Sequence, residues 1–222
     1  MNSGKANYAA IRLILGSVAV LAGFFFAAWM GSRLGGFIIA HPSPFIALWA
    51  AFLVAVLYLS RDPDPAGPSD LNAIVSPAYG KVDVIEETGE SEFMEGACRR
   101  VSIRVSLTDV QVQYAPVSGT VAQFLHRPAR NENGASAREN LFVGFDVVGR
   151  AATHIAVRLI GGTWGKRILP WIKANDVVSR GERLGMMRPA ARVDLYLPAA
   201  VKLHVNIGDA VAGGQSVVAK FE

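Results

Sequence analysis

Two long apolar runs open the chain, and short runs of alternating polar and apolar residues follow them. Residues 8–30 are interrupted only by Arg12, and residues 44–60 carry no charge. At the rise of an α-helix these runs span about 34 Å and about 25 Å, against about 30 Å for the core of a bilayer. The pattern therefore predicts an N-terminal membrane hairpin over residues 1–60, made of two transmembrane helices.

Each apolar run has an alternative interpretation. The first run also resembles a secretory signal peptide, but it is longer than the usual apolar region and no Ala-x-Ala cleavage pattern follows it. The second run is short enough for an interfacial or re-entrant helix. Two spans place both termini on one side, together with Lys5, Arg12 and Arg61. The loop between the runs carries only Arg33, so the positive-inside rule predicts that the following domain lies on the cytoplasmic face.

The remainder of the chain predicts a linker and a β domain. Residues 61–70 read RDPDPAGPSD, a stretch rich in proline and charge that is typical of a linker. From residue 71 to residue 222, period-two alternation, β-branched residues and nearby glycine or proline indicate a mainly antiparallel β domain. The runs that predict strands are residues 81–85, 100–105, 110–113, 141–145, 155–160 and 193–197.

Two short patterns recur in the same order within this domain. The first has the form Pro-x-x-Gly-x-Val and the second Asp-x-Val-x-x-Gly, where glycine permits a positive φ and aspartate caps a turn. They occupy residues 77–82 and 116–121, and residues 176–181 and 209–214. These elements resemble those of lipoyl and biotinyl carrier domains, which predicts a flattened β-sandwich with an internal two-fold relation; generic turn signals are the alternative. The hairpin that presents a modified lysine in such carriers is absent, so no carrier function is predicted.

Composition narrows the function classes. Hydrophobic residues make up 51% of the 222 residues, and the net charge of +4 favours an anionic membrane surface. No helix-turn-helix, zinc spacing or aromatic-basic interleaving supports nucleic acid as a partner. A lone Cys98 excludes an internal disulfide. The four histidines are scattered without metal-ligand spacing, so no metal site is predicted.

One aromatic and basic cluster is a candidate for membrane contact. It consists of Trp164, Lys166, Arg167 and Trp171. Aromatic rings beside positive charges are typical of a membrane interface, because the rings enter the headgroup region and the charges attract anionic lipids. Ordinary loop packing is the alternative of equal weight.

Residues 188–198 contain the motif that points most directly to a chemical function. They read RPAARVDLYLP and resemble the maturation site RFGSRVDVYLP of the short, bacterial-type phosphatidylserine decarboxylases. In that family the chain cuts itself between the glycine and the serine, and the serine becomes a pyruvoyl group that acts as electron sink. Here Ala190 and Ala191 stand at those positions. An alanine methyl cannot attack a carbonyl, so the resemblance implies no pyruvoyl cofactor at Ala191.

The other two members of the family's self-cleavage triad are also replaced. Residues 76–82 read SPAYGKV where the family has an aspartate, so Tyr79 stands at the acid. Residues 109–116 read DVQVQYAP where the family has a histidine, so Gln111 stands at the base. A glutamine has no pKa in the working range and cannot act as a general base.

The resemblance covers most of the chain, with one departure. Residues 41–46, 61–63 and 181–185 match family motifs outside the triad. The loop of residues 126–140 is shorter than the family's, which flanks the substrate cavity there. Substrate binding is therefore in question together with catalysis.

These replacements lead to a functional expectation. The chain is expected to be a pseudoenzyme of the phosphatidylserine decarboxylase family in the bacterial inner membrane, without catalytic residues, cofactor or metal. Its expected role is to bind membrane phospholipid or to serve as a subunit or assembly factor of a membrane-protein complex. The alternative is a working decarboxylase that makes phosphatidylethanolamine. Its route would be atypical, because the nearest hydroxyl residue before Ala191 is the distant Ser179.

Overall fold

A computed structural model shows how these patterns fold. It describes residues 15–23, 25–26, 43–59, 64–89, 93–94, 96–128, 130–132, 135–150, 153–161, 168–187 and 191–222. The chain divides into two compact units, Met1–Asp62 and Pro63–Glu222. The division falls inside the predicted linker of residues 61–70.

The first unit contains helical residues where the apolar runs lie. Residues 15–23 and 25–26 are helical, and a second helix covers Ser43–Leu59. The latter has 17 residues and is therefore about 26 Å long, short of the roughly 30 Å core of a bilayer. Among the residues that the structure describes, no helix is long and apolar enough to cross a membrane. The predicted transmembrane hairpin is therefore not supported, and the rest of residues 8–30 lies outside the described residues.

The second unit is made of antiparallel strands, which confirms the predicted mainly β class. The strands are β1 Ala73–Val75, β2 Gly80–Thr88, β3 Cys98–Val105, β4 Val112–Tyr114, β5 Gly119–Arg127, β6 Arg130–Glu132, β7 Ala135–Ala137, β8 Asn140–Val147, β9 His154–Ile160, β10 Ile168–Pro170, β11 Val177–Val178, β12 Arg183–Met187, β13 Ala191–Pro198, β14 Lys202–Leu203, β15 Ala210–Val211 and β16 Val217–Lys220.

Eight of these strands form one large sheet. Its order is β11-β5-β8-β9-β13-β3-β2-β15, and two three-stranded sheets have the orders β1-β16-β14 and β10-β12-β4. Strands β6 and β7 pair only with each other in the described part of the chain. All six predicted strand runs lie in or overlap strands of the structure.

One face of the large sheet supplies most of the core. On β3, Val101, Ile103 and Val105 are at most 1% exposed and belong to the main hydrophobic cluster. Ser102 and Arg104 alternate with them and lie on the opposite face, since successive side chains of a strand point to opposite sides. The small sheets contribute Ile74, Ile168, Leu184, Met187, Val218 and Ala219 to the same cluster.

The sequence repeat corresponds to a repeated substructure at the two edges of the large sheet. Strand β15 pairs with the start of β2, and β11 pairs in the same way with the start of β5. The Asp209 carbonyl accepts the Val82 N–H at 2.9 Å, and the Asp176 carbonyl accepts the Val121 N–H at 2.9 Å. In both copies the aspartate carboxylate accepts the N–H three residues earlier, at 2.8 Å. The repeat therefore has a structural counterpart in each half of the domain.

The described part of the predicted linker is attached to the β domain. The Arg180 guanidinium donates to the carbonyl oxygens of Pro68 at 2.6 Å, Asp70 at 2.5 Å and Ala73 at 3.0 Å. Lys220 lies 2.8 Å from the Asp70 carboxylate. The hydrogen bond from Lys220, followed by that from the Asn72 N–H, lowers the pKa of Asp70 below its ordinary value. The chain from about residue 68 therefore follows a fixed path into β1.

Candidate functional site

A groove of about 710 Å³ lies at the end of the large sheet where β13 begins and β3 ends. Ala191 pairs with Val105 there, so the position that corresponds to the family's serine lies in the groove wall. The groove is lined by Gly80, Lys81, Asp83, Arg104, Val105, Ser106, Leu107, Asp109, Arg138, Gly161, Ala191, Arg192 and Ala210.

Gly80 allows β2 to approach β3 closely at this end of the sheet. Its φ is 155°, and a Cβ added there would overlap the carbonyl oxygen of Arg104. An L-residue rarely adopts this backbone conformation and would also meet a fixed backbone atom. A glycine is thus required where Lys81 and Arg104 come side by side.

Ala191 is 5% exposed and presents only a methyl group. The residue therefore does not fit a pyruvoyl group made from its own side chain, because there is no hydroxyl to attack the preceding carbonyl. Ala190, the other replaced residue of the maturation site, lies outside the described residues. Any electron sink in this protein has to come from a source other than residue 191.

Gln111 lies behind the wall of the groove. Its Nε2 donates to the carbonyl oxygens of Asp109 at 2.6 Å and Ser106 at 3.2 Å, and both of these residues line the groove. Its Oε1 is buried without a hydrogen-bond partner, as are both amide atoms of the neighbouring Gln113. The amide of Gln111 therefore fixes the turn of residues 106–109 next to Ala191.

Tyr79 is not among the described residues that line the groove. Its ring contacts that of Tyr114 edge-on, with 6.1 Å between centroids, and its hydroxyl accepts a hydrogen bond from Gln215 at 3.4 Å. The structure thus places Gln111 and Ala191 around the same groove, whereas the phenol of Tyr79 packs against other aromatic and polar groups.

Three cations lie side by side on adjacent strands at the groove. Arg104 of β3 is the register partner of both Lys81 of β2 and Arg192 of β13. Like charges directly opposite each other destabilise a sheet unless something compensates them. Asp83 is 4.0 Å from Arg104, and both side chains are exposed. Among the described residues, Lys81 has no ion-pair partner, so this row is suited to bind an anion.

Arg192 is the most firmly held of these cations. Its Nε donates to Asp194 Oδ1 at 2.9 Å and its Nη2 donates to Ser102 Oγ at 2.7 Å. Ser102 Oγ in turn donates to Asp194 Oδ1 at 2.5 Å. Asp194 is 1% exposed and Ser102 is fully buried.

Sequence reasoning did not single out Lys81, Arg104 or Arg192. Their proximity depends on strand register, which the alternation pattern alone does not give. The usable signal was the polar face of the strand in residues 192–194, where Arg192 and Asp194 alternate with apolar Val193.

The predicted membrane-contact cluster is described only in part. Trp164, Lys166 and Arg167 lie outside the described residues. Trp171 is half-buried, and its backbone N–H donates to the Leu184 carbonyl at 2.8 Å. The role of this cluster in membrane contact stays a prediction.

Fold and groove together define an antiparallel β domain with a row of basic side chains beside the maturation-motif position. The family model described as phosphatidylserine decarboxylase matches residues 52–219, so the chain belongs to that family.

Curated relatives agree with this family. A protein of Desulfotalea psychrophila is 35% identical over 77% of this chain and 82% of its own. Proteins of Erythrobacter litoralis and Burkholderia mallei are each 32% identical, over 82% and 85% of this chain and 77% and 85% of their own. All three are named phosphatidylserine decarboxylase proenzyme.

These relatives correct one expectation. The prediction that the chain is not an enzyme rests on replacements at residues 79, 111, 190 and 191, yet relatives at 32–35% identity carry the name of an enzyme. The replacements remove one chemical route and give no measure of turnover. The prediction of a non-enzyme is therefore overturned.

Proposed function

We propose that this protein binds the headgroup of phosphatidylserine in the groove and decarboxylates it to phosphatidylethanolamine, by a route that does not start from residue 191. The observation that carries the proposal is the row of cations beside Ala191. The names of the relatives supply the reaction class, and the groove supplies a site of matching charge.

The charges of the groove match those of the headgroup. A phosphoserine headgroup has a negative phosphodiester, a negative carboxylate and a positive ammonium group. The groove has four basic side chains, Lys81, Arg104, Arg138 and Arg192, and two acidic ones, Asp83 and Asp109. Cations favour the two anionic groups, and a carboxylate favours the ammonium. A neutral or purely anionic ligand would use only part of this set.

The chemical step defines what the rest of the chain has to supply. Decarboxylation breaks the bond between Cα and the carboxylate carbon, releases carbon dioxide and leaves an electron pair on Cα, which then takes up a proton. A carbonyl that forms an imine with the substrate amine accepts such a pair. Because Ala191 cannot provide it, this acceptor lies elsewhere on the protein.

The test measures turnover and traps the acceptor in one preparation. The full-length protein is incubated with phosphatidylserine in mixed micelles, and phosphatidylethanolamine and carbon dioxide are quantified against heat-denatured protein. Cyanoborohydride added with the substrate reduces any imine, and peptide mass spectrometry then locates the adduct. Product formation with an adduct on the chain supports the proposal. An adduct without product rejects the decarboxylation, product without an adduct rejects an acceptor on the protein, and absence of product and adduct rejects the whole assignment.

The basic side chains of the same groove support membrane phospholipid as the bound partner. A protein partner and a location on the cytoplasmic face of the inner membrane stay predictions. Fractionation of cells that express the tagged full chain tests the location, because a membrane-bound chain sediments with the bilayer. Such a chain resists extraction by salt only if apolar contacts, and not charges alone, hold it to the membrane.

A further inference from the structure

We infer that Arg192 is the phosphate-binding residue of the groove and that Asp194 and Ser102 hold it in the required orientation. This inference rests on the proposed function insofar as it takes a phosphodiester headgroup as the ligand. It further assigns the phosphate of the headgroup to Arg192 and the serine moiety to the rest of the groove.

The geometry leaves Arg192 both fixed and able to bind. A guanidinium has five N–H donors, of which Nε donates to Asp194 and one Nη2 hydrogen to Ser102. The remaining donors belong to a side chain that lines the groove and is 33% exposed. The planar guanidinium matches two oxygens of a phosphodiester, and a fork that is already oriented loses less conformational entropy on binding.

The buried side chains of Asp194 and Ser102 fix the orientation of the Arg192 guanidinium. Asp194 and Ser102 are buried and share a hydrogen bond, so neither can turn toward solvent. A second guanidinium, that of Arg100, lies 3.9 Å from the other oxygen of Asp194. The carboxylate is therefore held from two sides, and it directs Nε of Arg192 inward.

The reaction itself argues for phosphate rather than carboxylate at this site. The substrate carboxylate loses its charge as carbon dioxide leaves, so a fixed cation paired with it would stabilise the ground state more than the transition state. The phosphodiester keeps its charge throughout and can be held tightly without this penalty. Arg104, the register partner of Arg192, extends the cationic site on the same face. The serine moiety then lies along the rest of the groove.

The test compares three small probes with the full-length protein. Glycerophosphoserine, glycerophosphoethanolamine and free serine are titrated by calorimetry into the wild type, Arg192→Gln, Arg192→Lys and Ser102→Ala. Lys173→Gln is the matched control, because it removes one positive charge from an exposed turn outside the groove. Asp194→Asn is included if its circular dichroism spectrum matches the wild type, and Ser102→Ala tests the positioning role independently.

The affinities of the three probes are expected to depend on whether the probe has a phosphate. The two phosphodiesters bind the wild type within a few-fold of each other, and free serine binds far more weakly. Arg192→Gln weakens both phosphodiesters by about tenfold or more, the effect expected for loss of a charge-assisted hydrogen bond. Arg192→Lys recovers part of this loss, Ser102→Ala loses less than Arg192→Gln, and Lys173→Gln binds like the wild type.

Two results overturn the inference. Unchanged binding in Arg192→Gln shows that this residue does not contact the headgroup. A loss confined to glycerophosphoserine shows that Arg192 holds the carboxylate. Turnover of phosphatidylserine is assayed separately, so that Arg192-dependent binding of both phosphodiesters without turnover rejects the decarboxylation and supports the phosphate site.

Discussion

Arg192 Nε donates a hydrogen bond to Asp194 Oδ1 at 2.9 Å, and this bond links a groove residue to a buried carboxylate two positions further along β13. Residues i and i+2 of a strand point to the same face, so the pair lies on the side of the sheet opposite the main core. The polar face of β13 therefore supplies residues of the groove, while its apolar face packs into the main hydrophobic core.

We expect Asp194→Asn to lower the free energy of unfolding by about 2–4 kcal/mol, because it removes the buried charge that compensates the partly buried guanidinium groups of Arg100 and Arg192. Urea denaturation followed by circular dichroism measures the change. Asp146→Asn is the matched control: its side chain is 53% exposed and pairs with His154, so the loss there should stay below about 1 kcal/mol. Equal losses in the two variants would contradict a special role for the buried carboxylate.

A second prediction concerns the close approach at the groove. Gly80→Ala should destabilise the domain by about 2 kcal/mol or more, because the new Cβ meets the Arg104 carbonyl and the backbone has a φ of 155°. Gly89→Ala, whose Cβ would meet nothing within 4 Å, is the control. Thermal unfolding of both variants gives the comparison, and an unaltered midpoint for Gly80→Ala would show that β2 and β3 can separate without cost.

The fold was predictable from the sequence wherever a local pattern decides it. Alternation located Lys81–Ile85 within β2 and Val193–Leu197 within β13, and the repeated Pro-x-x-Gly-x-Val pattern marked the starts of β2 and β5. The apolar run of residues 44–60 located the helix Ser43–Leu59, but its membrane span is not supported, because this helix is shorter than the core of a bilayer. The groove was not predictable, since the juxtaposition of Lys81, Arg104 and Arg192 depends on pairing between strands far apart in the sequence.

A third prediction concerns acid stability at the entry to the domain. The pKa of Asp70 is lowered chiefly by its hydrogen bond to Lys220. The ionised carboxylate therefore stabilises the fold above about pH 4, and the contribution is lost as the pH falls through the lowered folded pKa. The unfolding midpoint of Asp70→Asn should lie below that of the wild type at neutral pH, and the difference should shrink under acid conditions. A difference that stays constant with pH would rule out this linkage.

The fourth prediction is that the wild-type chain is not cut between residues 190 and 191. Without a hydroxyl at Ala191 there is no N-to-O acyl shift, so no C-terminal fragment of about 3 kDa can form by that route. Intact-mass spectrometry of the purified protein should show one full-length species. A small chain beginning at residue 191 with a blocked N-terminus would refute the prediction.

The fifth prediction is that Ala191→Ser alone leaves the chain intact. A serine there gains a hydroxyl but no base, because Gln111 cannot take up its proton and the Gln111 amide is hydrogen-bonded to the carbonyls of Ser106 and Asp109. Tyr79, at the family's acid, packs against Tyr114.

The matched comparison is the variant that combines Tyr79→Asp, Gln111→His, Ala190→Gly and Ala191→Ser. Residues that act as one catalytic unit are strongly non-additive, so cleavage should appear in this variant while it is absent from the single one. Mass spectrometry after several days of incubation distinguishes them. Cleavage of Ala191→Ser by itself would show that some other group near the groove, such as Asp83 or Asp109 in its wall, supplies the base.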